Sequence, residues 1–313
     1  MKKPLISIIT VNYNQPEVTA ALLESLKLLD YDQWEMIVVD NASPKYNSAY
    51  LKKQYPYIKH IVCPENLGFA GGNNVGLQYA TGEYAFFINN DTEVTANLLS
   101  NLVNYMQAHP ECGMACPKIK YHHTPDTIQY AGAVGLHPLT SRSYDIGYLE
   151  KDNGQFNDTR KTDLPMGAAM LVPMALIQKV GPMSEMFFLY YEELDWGARI
   201  KHAGYEIHYV GTTEVYHKES LSTGKNSVLK TFYLFRNRLL FIRRNYQHIR
   251  WLIAASFFVF ISTPVHFVRH LMKKEWGHSK AIVRALFWNL TNKPYIEPQV
   301  NSDSIKPRLI ADL

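Results

Sequence analysis

The chain has 313 residues, 47% hydrophobic and 19% charged, a balance that excludes a disordered chain and is ample for a large core. Its 17 glycines and 16 prolines follow no period, and three cysteines (Cys63, Cys112, Cys116) are too few for a disulfide framework, so a reducing compartment is expected. The net charge of +4 hides an asymmetry: residues 1–224 carry 17 Lys and Arg against 24 Asp and Glu, whereas residues 225–313 carry 15 against 4, so the two regions are expected to meet different partners.

The apolar run at 5–11 is short and no small-residue cleavage site follows it, so it reads as a buried strand rather than a signal peptide. Strands are predicted at 5–11, 36–40, 58–62 and 84–88, alternating with helices at 16–29, after Pro44, at 73–80 and at 96–108; GMACPKI at 113–119 closes the series. Continuously apolar strands alternating with helices imply an α/β fold, a parallel sheet covered on both faces whose ligands bind at the carboxyl ends of its strands. Residues 121–165 are polar, rich in Gly, Tyr and Asp, and break this rhythm without a legible replacement. Beyond Pro165 the pattern predicts a strand at 167–172, a helix near 174–179, and a strand turning into a helix over 187–204, ended by Gly204. Short strands at 206–210 and 213–217 follow. Residues 225–290 then carry 12 Lys and Arg, one acidic residue (Glu275) and 13 aromatics, so a boundary is placed near 224, with regions 1–224 and 225–313.

Polar residues gather where the predicted strands end: Asn12, Tyr13 and Asn14; Asp40, Asn41, Ala42 and Ser43; Asn89, Asn90, Asp91 and Thr92. Asp40 and Asp91 read either as helix caps or as pocket residues, and their joint occurrence with three such clusters favours a pocket. No G-x-G-x-x-G follows the first strand and no P-loop is present. A different cluster, Asn66 to Gly76, holds four glycines in nine residues and opens a predicted helix, as a tight turn or as a close approach to an anionic ligand. Asp91, behind a buried strand, is of the type that holds Mg²⁺ or Mn²⁺ against phosphates. Glu192, Glu193 and Asp195 follow FFLYY; burial there raises a carboxyl toward the range of a general base, and the same residues suit the first turn of a helix. His217 reads equally as a structural histidine or a metal ligand.

Together IITVNYN (8–14), VVDNAS (38–43), NLGFAGGNNVG (66–76), FINNDT (87–92), GAAMLV (167–172), FFLYYEELDW (187–196) and VYHKES (215–220) resemble the motifs of family-2 glycosyltransferases, in that family's order. The nearest subgroup is the rhamnosyltransferase-like enzymes of bacterial surface polysaccharides, which GYLEKDNGQFN (147–157) also resembles. The resemblance implies a GT-A fold with a Rossmann-like, mostly parallel sheet and an inverting hexosyl transfer from a nucleotide sugar. The donor would be a UDP- or dTDP-sugar, dTDP-rhamnose among them, and the acceptor a glycan or polyprenyl-linked sugar. It places Asn12 and Asn14 in the nucleoside pocket, Asp40 at the base, and Asn66, Gly71 and Asn74 near the ribose and diphosphate, with Asn89 and Asn90 also on the donor side. Asp91 takes the last position of the D-x-D metal motif and His217 that of a histidine completing the metal site in some relatives, implying Mg²⁺ or Mn²⁺. Glu193 takes the general base position, with Glu192 and Asp195 supporting it. Two positions depart from the family pattern: Asn89 stands where the first Asp of D-x-D is expected, and Glu193 where Asp is commoner. These departures motivate a second reading, a catalytically silent protein that binds a nucleotide sugar or a partner.

Residues 251–268 (WLIAASFFVFISTPVHFV) lack Lys, Arg, Asp and Glu, yet both flanks are basic. Eighteen residues are at the short edge of a spanning helix, and two basic flanks fit an in-plane segment on an anionic membrane surface better. A helical C-terminal region at the inner face of the cytoplasmic membrane is therefore expected, with a spanning helix and a buried helical hairpin as the alternatives. No nucleic-acid motif accompanies the basic residues, and nucleic acid is not expected as a partner.

Overall fold

The computed structural model describes residues 3–45, 48–218 and 227–295. Its first elements are β1 (Ile6–Asn12), α1 (Pro16–Leu26), β2 (Trp34–Asp40), α2 (Ala49–Gln54), β3 (Ile58–Val62), α3 (Gly68–Leu77), β4 (Tyr84–Ile88), β5 (Thr92–Val94) and α4 (Leu98–Ala108). Next come β6 (Cys112–Tyr121), β7 (Thr124–Tyr130), β8 (Ala133–Val134), β9 (Tyr144–Asp145), β10 (Thr159–Thr162), β11 (Ala169–Pro173), α5 (Met174–Val180), α6 (Glu192–His202) and β12 (Glu206–His217). Helices α7 (Val228–Asn245), α8 (His248–Phe257), α9 (Thr263–Met272) and α10 (Trp276–Thr291) complete the described chain, a π-helical turn at Phe258–Ser262 joining α8 to α9.

The main sheet runs β10-β12-β6-β11-β4-β1-β2-β3. Strands β1 to β4 are mutually parallel; β11 lies antiparallel to both β4 and β6, and β12 is parallel to β6. Six strands of this path therefore point one way and only β11 and β10 point back. The apolar runs read from the sequence are this sheet's buried middle: Ile8, Ile9, Val38, Val39, Phe86 and Phe87 are at most 1% exposed. Because β1, β2, β4 and β12 share a direction, their carboxyl ends converge on one edge.

Four local expectations change. FFLYY is not a strand: residues 187–191 form an irregular loop with Phe188, Tyr190 and Tyr191 at φ of 63°, 69° and 77°. Left-handed backbone at bulky residues costs about 1–2 kcal/mol each, and α7 supplies the compensation. Arg236 Nη2 donates to the Met186 and Phe187 carbonyls at 2.6 and 2.5 Å, and Asn237 Nδ2 to those of Phe187, Leu189 and Tyr190 at 2.9, 2.7 and 2.7 Å. The helix placed at 73–80 begins earlier, at Gly68, so the glycine cluster that opens it forms its first turns. A Cβ on Gly72 would stand 2.9 Å from Val11 Cγ1, and one on Gly76 2.5 Å from Ile9 Cγ2, so these glycines bring the helix close against β1. The two short strands at 206–217 are one strand with a register shift between Val210 and Glu214. Finally, the unassigned stretch 121–165 holds β7 to β10, with β7 paired to β6 and β10 to β12. The boundary near 224, and the end of VYHKES, fall outside the described residues.

Candidate active site

At the ends of β1 and β2 a hydrogen-bonded network orders the loops. Asn12 Nδ2 donates to Asp40 Oδ2 (3.0 Å), and Asp40 Oδ1 accepts from the Ser43 N–H (2.8 Å). Ser43 Oγ accepts from the Asn14 N–H (2.8 Å), Asn12 Oδ1 from Thr19 Oγ1 (2.9 Å), and Thr19 Oγ1 from Asn90 Nδ2 (3.0 Å). Three of the predicted donor-side residues, Asn12, Asp40 and Asn90, thus belong to one network linking β1, β2 and β4. Asn14 holds the left-handed turn beside it (φ 58°) and accepts from the Lys45 N–H (3.0 Å).

Asn41, named only as part of a strand-end cluster, grips the loop before α3. Its Nδ2 donates to Asn66 Oδ1 (3.0 Å) and to the Gly68 carbonyl (2.9 Å), and its Oδ1 accepts from the Leu67 N–H (2.9 Å). Gly68 has φ +71°, and a Cβ there would collide with the Phe188 carbonyl at 2.2 Å. The Phe69 N–H donates to that same carbonyl (2.6 Å), so this N–H at the start of α3 is already used.

A cavity of about 370 Å³ opens at this edge, lined among others by Tyr13, Asn41, Asn66, Gly68, Asn89, Asn90, Asp91, Gln129, Gly167, Glu192, Glu193 and His217. His217, at the end of β12, places Nε2 3.1 Å from Asp91 Oδ1 and Nδ1 2.8 Å from Gln129 Oε1. Gln129 Oε1 accepts from Nδ1 only in the tautomer that carries its proton there, and in that tautomer Nε2 turns a lone pair toward the carboxylate. Two electron-rich atoms so placed are held either by a second proton on the ring or by a cation shared between them. Asn89 Oδ1 is buried beside this pair without a hydrogen-bond partner among the described residues, and Asn89 Nδ2 lies 3.4 Å from His217 Nε2. One carboxylate, one imidazole and one orphaned amide oxygen fit a hard divalent ion that takes its remaining ligands from phosphate or water. Among the described residues no group of three or more His, Cys, Asp and Glu side chains is placed to hold a metal.

Glu193 sits in the first turn of α6, half-buried, over Gly167, where a Cβ would stand 3.7 Å from its Cδ. Burial, with the charge of Asp145 adding to it, pushes the Glu193 carboxyl up to about 7. Glu192 is raised well above the carboxylate range by burial and by its neighbour Glu193, and its Oε2 has no hydrogen-bond partner among the described residues.

Not every predicted residue reaches the cavity: Asn12, Asn14 and Asp40 are not part of its wall, and Asn12 and Asp40 are buried at 0% and 1% exposure. Asp195 is turned into the protein, where Arg244 Nε (2.9 Å), Asn245 Nδ2 (2.9 Å) and Arg199 Nε (3.2 Å) donate to it, so it ties α6 to α7 instead of supporting Glu193 directly. Asn74 Nδ2 donates to the Met183 carbonyl (2.8 Å) and Glu185 Oε1 (3.1 Å), and Gly71 faces Leu67, where a Cβ would stand 2.6 Å from the leucine Cβ. Conversely Gln129, Asp145, Gly167 and Lys230 were not read as site residues. Gln129 and Asp145 lie in the stretch without legible pattern; Gly167 opens GAAMLV and was visible as part of that motif.

The family described as glycosyl transferase family 2 matches residues 7–173. Over 242 residues the chain is 26% identical to the low-salt glycan biosynthesis hexosyltransferase Agl10 of Haloferax volcanii, covering 75% of this chain and 74% of the relative. It is 20% identical over 280 residues to the N-acetylglucosaminyl-diphospho-decaprenol L-rhamnosyltransferase of Mycobacterium tuberculosis, covering 80% and 90%. Other relatives are longer, and the chain spans 28% and 18% of two of them. In structure it resembles the mannosyltransferase PcManGT from Pyrobaculum calidifontis in complex with GDP-Man and Mn²⁺, with a TM-score of 0.58 at 14% identity, covering 94% and 89% of the two chains.

Proposed function

This chain belongs to glycosyl transferase family 2, with the GT-A fold, and on that premise we propose an inverting transfer of a hexosyl group from a UDP- or dTDP-sugar to a hydroxyl of a glycan or polyprenyl-linked acceptor. The setting is the synthesis of a surface polysaccharide, and a relative named as a rhamnosyltransferase makes dTDP-rhamnose a donor to test. The observation that carries this reading is a single cavity holding both Glu193, whose carboxyl is pushed up to about 7, and the Asp91–His217 pair at the strand ends.

The nucleoside rests against the ends of β1 and β2, where Asn12, Asp40 and Ser43 hold the loops in one conformation before the ligand arrives, so little ordering entropy remains to be lost. The Asn41–Asn66 pair fixes the wall facing the diphosphate. Glu193 removes the proton of the acceptor hydroxyl as that oxygen bonds to the anomeric carbon and the bond to the diphosphate oxygen breaks. Gly167 leaves room for the carboxyl, and the α7 contacts to residues 186–190 set its direction. A divalent ion, Mg²⁺ or Mn²⁺, held by Asp91 and His217 with Asn89 Oδ1 beside them, would supply charge neutralisation for the departing diphosphate.

Calorimetric titration tests the donor site. UDP, dTDP, GDP and ADP are added with Mn²⁺, with Mg²⁺ or with chelator, to the wild type and to Asp91→Ala. Metal-dependent binding of a pyrimidine diphosphate, lost in Asp91→Ala, is expected. Absence of binding by all four nucleotides under every condition would remove the donor assignment.

The C-terminal helices are proposed to lie in the plane of a membrane at its cytoplasmic face. The stretch His248–Met272 is 25 residues long and holds an 18-residue window of mean hydropathy 1.8, long and apolar enough to cross a membrane by length and composition. Its inner face, Ala254 and Phe258, packs on Leu239 and Ile242 of α7, and α7 grips the active-site loop, contacts that support an in-plane position. The buried free thiols of Cys63, Cys112 and Cys116 agree with a reducing compartment.

A further inference from the structure

We propose that a second cavity, between α7 and the α9–α10 hairpin, seats the phosphate groups of a lipid-borne acceptor; this rests on the transfer reaction proposed above. The cavity has a volume of about 370 Å³, and Lys230, His266, Arg269, His270, Lys273 and His278 line it. Glu275 is the one carboxylate in its wall, and His270 engages it, with Nδ1 2.6 Å from Oε2. Among the described residues Lys230, Arg269 and Lys273 form no ion pair.

Two further arginines stand near His266 outside the cavity wall, Arg142 exposed and Arg238 buried. Arg142 Nη2 lies 3.4 Å from His266 Nε2. Arg238 of α7 is only 9% exposed and lies over the Phe258 ring at 4.9 Å, and its Nε and Nη2 find no hydrogen-bond partner among the described residues. Neither arginine meets a carboxylate among the described residues. Neither belongs to the cavity wall, but a buried guanidinium without an anion, as at Arg238, adds positive potential behind the basic side chains that do line it.

Two neighbours specify the anion. Lys230 lines this cavity and the strand-end cavity alike, with Nζ 5.7 Å from the Tyr190 ring, so an anion seated here adjoins the reaction site. On the outer face of the same helical stretch Phe260, Ile261, Val265 and Val268 are 75%, 55%, 63% and 50% exposed. A ligand that suits all three surroundings has an apolar chain along the helix, phosphate in the basic cavity and a sugar hydroxyl at Glu193. That is a sugar joined through phosphate to a polyprenyl chain.

The test uses the full chain and three probes, farnesyl diphosphate, farnesol and inorganic pyrophosphate, titrated into wild type and the double variant Arg269→Ala/Lys273→Ala. UDP and dTDP with Mn²⁺ are titrated in parallel and report that the variant is folded. Wild type should bind farnesyl diphosphate at least about tenfold more tightly than either other probe, and the double variant should lose about tenfold of that affinity while keeping its nucleotide binding. Should the double variant not fold, Lys273→Ala alone, at an exposed position, should show a smaller loss of the same kind. Equal affinity of wild type and variant for farnesyl diphosphate overturns the proposal. So does pyrophosphate binding as tightly as the prenyl diphosphate, which makes this a free-phosphate site, or a loss seen only on phosphatidylglycerol vesicles, which makes it a headgroup contact. A wild type that binds no nucleotide, yet shows the prenyl diphosphate loss on substitution, sinks the donor reading and leaves this site standing.

Discussion

The Glu193 carboxyl, pushed up to about 7 by burial and by the charge of Asp145, keeps its proton through the acid range and releases it near neutrality. A general base works only when deprotonated, so kcat/KM should rise with pH through about 7 and level off above it. Glu193→Gln should lower kcat by about 10²–10⁴-fold with the donor Kd unchanged, and should lose that acid limb. The same shift has a stability consequence. The folded pKa lies above the unfolded one near 4.5, so folding favours the protonated form, and that contribution is present below about 4.5 and lost as pH rises through about 7. Glu193→Gln escapes this loss. In denaturant melts it should exceed wild type by on the order of 1–3 kcal/mol at about pH 8 and by little at about pH 4. A difference of equal size at both pH values would contradict the burial of an ionising carboxyl at this position.

Helix α3 and the loop at 187–191 show how elements create the cavity without supplying its chemistry. The helix lies close on β1 because Gly72 and Gly76 present no side chain to Val11 and Ile9. Gly76→Ala places a methyl against Ile9 in a filled core; overpacking of this kind costs about 1–3 kcal/mol, and the denaturation midpoint should fall accordingly with an unchanged m-value. An unchanged midpoint would mean that α3 can move away from the sheet freely. The loop illustrates the converse, a segment whose backbone is unfavourable by itself. Three left-handed aromatic residues persist because Arg236 and Asn237, buried at 6% and 0% exposure, satisfy its carbonyls.

For the whole molecule, the acidic and basic regions are not independent modules. Helix α7 lies beyond the composition boundary, yet it holds the loop that leads into Glu192 and Glu193 and closes the Asp195 cluster through Arg244. A fragment of residues 1–224 should therefore lose transfer activity by at least about 10²-fold even where it still binds nucleotide, because the base loses its mounting. Full activity in that fragment would contradict the coupling. The outward face of the C-terminal helices pairs exposed apolar residues with basic ones. Sedimentation with phosphatidylglycerol vesicles should be strong at low salt, should weaken as salt rises, and should drop sharply on Phe260→Glu at a 75% exposed position. Binding insensitive to that change would move the membrane face elsewhere.

Much of this was legible in the chain itself, for a physical reason: strand and helix periods are local, and a parallel sheet sends all its strand ends to one edge. Strands β1 to β4 and the residues Asn12, Asp40 and Asp91 at three of their ends followed from local pattern and polarity alone. So did the acidic start of α6 and the charge asymmetry between the two regions. Other features rest on contacts between residues far apart in sequence, which no local pattern carries. Gln129 reaches His217 from a stretch without periodicity, and Asp195 is claimed by Arg244 across 49 residues. The aromatic run at 187–191 has strand-like composition, and its own propensities favour extended backbone. Only the carbonyl-gripping side chains of α7 make it a loop, because hydrogen bonds from a buried arginine and asparagine outweigh the local strain. The sequence by itself thus determined which residue types stand at the strand ends; the tertiary structure decided which of them face the cavity, and which anchor it.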